Sequence, residues 1–270
     1  MRVLELPLRL SRHAVSPRNV ARAGDLWRLC QEAAIQASVA AGWNAARYVR
    51  EQIAFVVRSM TVVHDREVSY DESLVGRTWV GDFRRGMLSR REVRIEGGDG
   101  RVAAATQEWV HVALTETGAR PARGSDALLD AFTPAAVDEP SAQLPGHDGA
   151  GCEGSHVFSF DIWHTWMDPL GHVNHAVFVD WLDEALARRL GAAGLDPQGA
   201  VPVADRIRFR GAALAGDRMT VRSRLLGRCA DGTVAIGHEV TGRQGPVISA
   251  VTVRGLAGGD HDALAGAVRV

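Results

Sequence analysis

The stretch DIWHTWMDPLGHVNHAVFVDWLDEA, residues 161–185, decides how the chain is read. It leaves a short strand-like run, His156 to Ile162, and breaks at Asp168, Pro169 and Gly171. It then continues from Val173 to Leu190 as an amphipathic helix, with Val177, Phe178, Trp181, Leu182, Ala185 and Leu186 on one side. Period two gives way to helical period across a Pro/Gly break, which is the signature of strand, turn and helix in succession. Four strand-like runs follow: Val203 to Phe209, Met219 to Leu226, Thr233 to Val240 and Val247 to Gly255.

The same order occupies the first half of the chain. Val3 to Leu10 alternates as a short strand, and Gly24 to Gly42 carries Leu26, Leu29, Cys30, Ala33, Ala34, Ala37 and Ala41 at helical spacing. Strand runs then cover Ile53 to Val63, Arg77 to Phe83, Leu88 to Ile95 and Val102 to Leu114, with a Gly-Gly-Asp-Gly hairpin signal at 97–100. Thr133 to Ser155 loses periodicity and gathers Pro, Gly, Asp and Ser, so it reads as a linker. The expected fold class is α+β, two units in tandem, each a curved antiparallel sheet wrapped around a long central helix, because an antiparallel meander can bury one long helix only by curving around it. The expected divisions are 1–132, a linker 133–155, and 156–270. Such a chain is a pseudo-dimer in itself and can also pair as a homodimer.

Composition narrows the chemistry. All 31 basic residues are arginine, so there is no amine for a Schiff base, a pyridoxal anchor or a phosphate-loop lysine. A formal net charge of −1 gives no basic field for nucleic acid. Cys30, Cys152 and Cys229 lack the spacing of a metal knuckle or a redox pair, and the histidines show no zinc-type spacing, so neither a metal nor another cofactor is expected. Met1 to Leu10 reads as a strand and not as a signal peptide, and no window suits a membrane span. The expected location is cytoplasmic.

The turn at Asp168 to Gly171 is expected to feed a helix entered by His172, Val173 and Asn174, leaving the first backbone N–H groups free to hold an oxyanion. Asp168 stands four residues before His172, placing a carboxylate base or nucleophile beside a proton carrier. Each residue alone has a structural reading: Asp168 as a helix cap, His172 as a surface residue, Asn174 as a local backbone partner. His164 and Trp166 precede the turn closely enough to line its mouth, and Glu184 pairs with Arg188 or faces the site. Trp79, Trp109 and Trp181 read as packing residues. The pairs Arg84/Arg85 and Arg90/Arg91 read as solvated faces, or as docking groups for an acidic carrier protein or for coenzyme A phosphates.

The run DPLGHVNHAVFVDWLDEA resembles the hotdog-fold acyl thioesterases, in which an acidic residue precedes a His-Val-Asn-Asn run opening the central helix. The first half resembles the acyl-acyl-carrier-protein thioesterases, a family of two fused hotdogs, through QEAA at 31–34, TWV at 78–80, AATQEWV at 104–110 and RPAR at 120–123. The resemblance implies hydrolysis of an acyl thioester, carried by coenzyme A or an acyl carrier protein, at a site in the second half. Asp168, His172 and Asn174 match the family positions. The N–H groups of Gly171 to Val173 would hold the oxyanion, with His164, Trp166, Phe178 and Glu184 near the substrate. Leu170, His175 and Phe178 depart from the family pattern, and 210–213 (RGAA) lacks the carboxylate of the plant-type enzymes. Those departures motivate two alternatives: a degenerate hotdog that binds acyl thioesters, and a hotdog hydratase or dehydratase.

Overall fold

The computed structural model describes residues 3–116 and 118–269; Met1 and Arg2, at the head of the expected first strand, lie outside them. The first half runs β1 (Leu4–Leu8), α1 (Ala23–Ala40), α2 (Ala45–Arg50), β2 (Ile53–His64), β3 (Leu74–Arg84), β4 (Leu88–Gly97), β5 (Gly100–Thr115), β6 (Gly118–Pro121) and α3 (Asp126–Ala131). The second runs β7 (His156–Asp161), α4 (Val177–Ala192), β8 (Ala200–Phe209), β9 (Arg218–Arg228), β10 (Val234–Gly242), β11 (Gly245–Leu256) and α5 (His261–Val268).

Both halves share one eleven-stranded sheet in the order β1-β3-β4-β5-β2-β8-β11-β10-β9-β7, with β6 added to β5. The order is a palindrome: β1, β3, β4, β5 and β2 on one side mirror β7, β9, β10, β11 and β8 on the other. β2 and β8 close the seam antiparallel, from Ser59 opposite Arg208 to Val63 opposite Ala204. The central helices meet over this seam and share one apolar core with the inner sheet face, including Cys30, Ala33, Met60 and Val62 from the first half and Phe178, Leu182, Ile207 and Val221 from the second. This is the tandem double hotdog expected from the sequence.

Small residues set how closely α1 approaches. A Cβ on Gly24 would lie 2.0 Å from Asp180 Oδ1, so α1 begins against the side chain of α4 that also pairs with Arg28. The pair Arg28 and Asp180 therefore ties one central helix to the other. Larger charges are buried at the seam. Asp205 on β8 lies 2.7 Å from His64 Nε2 of β2 and 2.6 Å from Arg254 Nη1 of β11, and Arg254 Nη2 also donates to Asp183 of α4 at 2.8 Å. Burial alone would raise the Asp205 carboxyl, but Arg254 and His64 overcome that and hold it at about 2.

The segment 133–155 has neither helix nor strand, as its composition predicts, yet it is strapped down. Ala135 N–H donates to the Val80 carbonyl, Arg94 donates to Glu139 and to the Pro140 carbonyl, Ser141 donates to Glu92, and Cys152 N–H donates to the Leu225 carbonyl. Val93 and Ile95 face the core, so Glu92 and Arg94 point to the outer sheet face, which the strap covers. The strap explains why Arg94 is buried although it lies opposite the helices.

Three expectations about the arginines and the second helix need correction. Arg91 is neither solvated nor available for docking: it is 5% exposed, donates to the Ala34 carbonyl of α1, and burial lowers its pKa to about 10. Arg90 is held by Ser141 and Glu92. The helix expected from Val173 begins at Val177 instead, for reasons that lie in the turn itself.

Candidate active site

Residues 163–176 form a locked loop before α4. A short 3-10 turn at His164–Trp166 leads in, and an isolated antiparallel bridge pairs Met167 with Val173. Across it Asp168 N–H donates to the His172 carbonyl at 2.8 Å and Asn174 N–H to the Trp166 carbonyl at 3.0 Å. The chain reverses through Gly171, whose φ of +77° suits glycine and few other residues. The bridge takes the His172 carbonyl and the Asn174 N–H, and Val173 N–H goes to Ala213, so these residues stay extended and α4 begins only at Val177. Asn174 forms a local turn just before it: its Oδ1 accepts the Ala176 N–H at 3.0 Å and its carbonyl accepts the Val177 N–H.

The loop brings Asp168 and His172 together. One carboxylate oxygen, Oδ1, accepts the Leu170 N–H at 2.8 Å, which fixes the side chain. The other, Oδ2, lies 3.4 Å from His172 Nδ1. The carboxylate side chain is 15% exposed and the imidazole 29%. A carboxylate anchored through one oxygen, with an imidazole beside the other, can accept a proton from water or attack an electrophile.

Of the three expected oxyanion amides, Gly171 to Val173, two are taken. Gly171 N–H donates to the Asp168 carbonyl and Val173 N–H to the Ala213 carbonyl, both at 2.9 Å, so neither is free. Among the described residues the N–H groups of His172 and His175 have no acceptor. The Asn174 side-chain oxygen is taken by the Ala176 N–H. Phe178 is buried beneath the loop against Trp181 and Phe209. Among the described residues, no hydrogen bond or ion pair joins His164 or Glu184 to Asp168. His164 is exposed, Glu184 pairs with Arg188 at 2.7 Å, and both Glu184 and Trp166 line a groove on the side facing the first half.

His175, which sequence reasoning noted only as a departure, is the residue of this loop most altered by its surroundings. Its ring meets Trp109 of β5 edge-on and Phe209 of β8 edge-on, each at 6.0 Å, so it stands at the contact between the halves. Its Nε2 is buried with no partner, and burial, helped by His172 and Arg28, pulls its pKa to about 4. It is neutral at neutral pH. Trp109, half-buried, thus belongs to the wall of this site as well as to the packing, whereas Trp79 and Trp181 are core residues. An aromatic chain continues outward from Phe178 through Trp181 and Trp166 to Trp163, which stacks on Trp166 and is 66% exposed.

The depressed His175 value predicts a pH effect with a definite sign. Below pH 6.5 the unfolded imidazole binds a proton that the folded one refuses until about pH 4, so stability falls as pH drops through that window. By pH 5 the loss from this group is on the order of 2 kcal/mol. Urea denaturation at pH 5 and pH 7.5 is expected to show a smaller drop for His175→Asn than for the unaltered chain. An equal drop in both would disprove the burial argument.

Among the described residues there is no group of three His, Cys, Asp or Glu side chains able to hold a metal ion, and no helix is long and apolar enough to cross a membrane.

Residues 162–257 match the thioesterase-like superfamily. No curated protein matches the chain. Three solved structures share the fold over nearly the whole length. A provisionally named oleoyl thioesterase from Lactobacillus plantarum superimposes with a TM-score of 0.79 at 17% identity, covering 94% of this chain and 96% of that one. An acyl-ACP thioesterase from Bacteroides thetaiotaomicron gives 0.72 at 15% identity, with 93% and 97% covered. The 12:0-ACP thioesterase from Umbellularia californica gives 0.72 at 15%, with 93% of each covered. At these identities the likeness is one of fold.

Proposed function

We propose that this chain, a double hotdog whose second half matches the thioesterase-like superfamily, hydrolyses an acyl thioester carried by coenzyme A or an acyl carrier protein. The observation that carries the reading is the anchored Asp168 carboxylate beside His172 on the loop that opens α4. Asp168 Oδ2 removes a proton from water as the water oxygen bonds to the thioester carbon. The carbonyl electrons move to oxygen, where the free N–H groups of His172 and His175 and the start of α4 stabilise the negative charge. Collapse of this intermediate breaks the C–S bond, releasing the acid and a thiolate that takes up the proton. Direct attack by Asp168 would instead give a mixed anhydride that water then opens. Single-turnover hydrolysis in ¹⁸O water separates the two, because only the direct route places the label in the aspartate or delays its appearance in the acid.

A binding-only reading has one observation in its favour: two of the amides expected to serve the oxyanion are consumed by the loop. A panel of acyl-CoA and acyl-carrier thioesters tests the choice. Thiol release with at least one member is the expected result; tight binding with no release across the panel would leave the binding reading in its place. Nothing in the site favours hydration or dehydration of a hydroxyacyl group. A location in the cytoplasm fits a substrate of this class and belongs to the same proposal.

A further inference from the structure

The first half contains a second copy of the active-site loop that the sequence conceals. Residues 11–25 repeat the turn and bridge of residues 163–177, although α1 starts two positions earlier than α4 on this match. The 3-10 turn Arg12–Ala14 matches His164–Trp166, and the bridge of Val15 with Ala21 matches that of Met167 with Val173. Ser16 N–H donates to the Val20 carbonyl at 2.8 Å as Asp168 does to His172, and Asn19 N–H to Ser16 at 2.9 Å as Gly171 does to Asp168. Ser16 Oγ accepts the Arg18 N–H where Asp168 Oδ1 accepts the Leu170 N–H. Ala21 donates to Val68 as Val173 does to Ala213, and Arg22 to Ala14 as Asn174 does to Trp166. Asn19 reverses the chain at φ +60°, taking the place of Gly171. The chemistry has been removed: Ser16, Val20, Arg22 and Ala23 occupy the places of Asp168, His172, Asn174 and His175.

The space beside the loop has been kept. A groove of about 710 Å³ lies between this first loop and α4 of the second half, floored by Ala21 and closed by Ala187 and the turn at Pro197 and Gln198. That is within the size range of sites for small organic ligands. Its lining includes four arginines and four carboxylates, so they balance. Arg28 and Arg254 are tied up with Asp180 and Asp183, while Arg18 is paired with Glu67. A balanced lining of fixed dipoles and paired charges disfavours a polyphosphate and suits a neutral chain rich in amide donors and acceptors.

We infer that this groove is a second, non-hydrolytic site for the amide-bearing, pantetheine-type arm of the thioester. The inference rests on the thioesterase reading, because the ligand class is carried from one loop to its twin. No base stands at position 16: the serine hydroxyl is held by its own turn, and the nearby Asp25 and Asp180 carboxylates are paired with Arg28. Ligand therefore binds there without being cleaved.

The test is calorimetric titration of the full chain with a non-hydrolysable S-alkyl pantetheine thioether, alongside thioester turnover. Two sites per chain are expected. Ala187→Trp and, as a substitution on an exposed turn that folding tolerates, Gln198→Trp are each expected to leave one site while kcat/KM stays within about twofold. One site that neither variant touches overturns the inference and leaves the Asp168 reading intact. One site that both variants abolish, with turnover unaffected by loss of Asp168, keeps the groove as a site for the arm and overturns the Asp168 reading instead.

Discussion

Asp168→Asn is expected to lower turnover by about a hundredfold or more while leaving the fold unchanged. The amide keeps the shape of the side chain and can still accept the Leu170 N–H that orients it, so the loop has no reason to reopen. What it loses is the second anionic oxygen, the one turned to His172, which the proposed mechanism uses as the base. The loss should fall on kcat and not on KM, because the carboxylate is needed once charge moves and not for holding the acyl chain. Steady-state kinetics with the best substrate of the panel, together with an unchanged denaturation midpoint, check both halves of the statement. Activity near that of the unaltered chain would move the base elsewhere in the molecule.

Asp205→Asn is expected to cost about 3 kcal/mol of stability, the largest effect anticipated for an isosteric change. No cavity is made, so the cost is electrostatic. Arg254 is 1% exposed and keeps Asp183 as its one anionic partner, and the single amide oxygen of the variant can serve Arg254 or His64 Nε2 but not both. Breaking a buried pair leaves an uncompensated charge, whereas removing both partners need not. The double variant Asp205→Asn with Arg254→Met should therefore recover part of the loss, as measured by urea denaturation. The pH dependence follows from the same cluster. A carboxyl held at about 2, below its ordinary 3.8, contributes stability present above pH 3.8 and lost as pH falls towards 2. For this group that amounts to roughly 2 kcal/mol.

The fold was legible because each half repeats one order of hydrophobic periods, and because the helical stripe of Leu26, Cys30, Ala33 and Ala37 can be buried only under a sheet. Asp168 and His172 were legible through their spacing across a Pro/Gly turn. The helix start was not. Asn174 looks like a helical residue in a periodic string, but the Met167–Val173 bridge outcompetes the first helical turn, and bridges between loop residues leave no periodic trace. The role of His175 was hidden for a related reason: its surroundings, Trp109 and Phe209, come from strands far along the chain. Arg91 looked like half of a surface pair because charge pattern cannot reveal which face of a strand meets a helix. The twin loop left only faint marks, a shared proline at positions 17 and 169 and an asparagine where left-handed backbone was required.

The palindromic sheet has a consequence for how such a molecule can change. If the halves were identical copies meeting by rotation, every alteration to one mouth would appear in the other, and a residue poor for chemistry but good for holding a ligand could never be tried in one place alone. Two halves on one chain escape that obligation. Each opening is then free to specialise, and the partner half remains at hand, in fixed proportion, to supply its opposite wall.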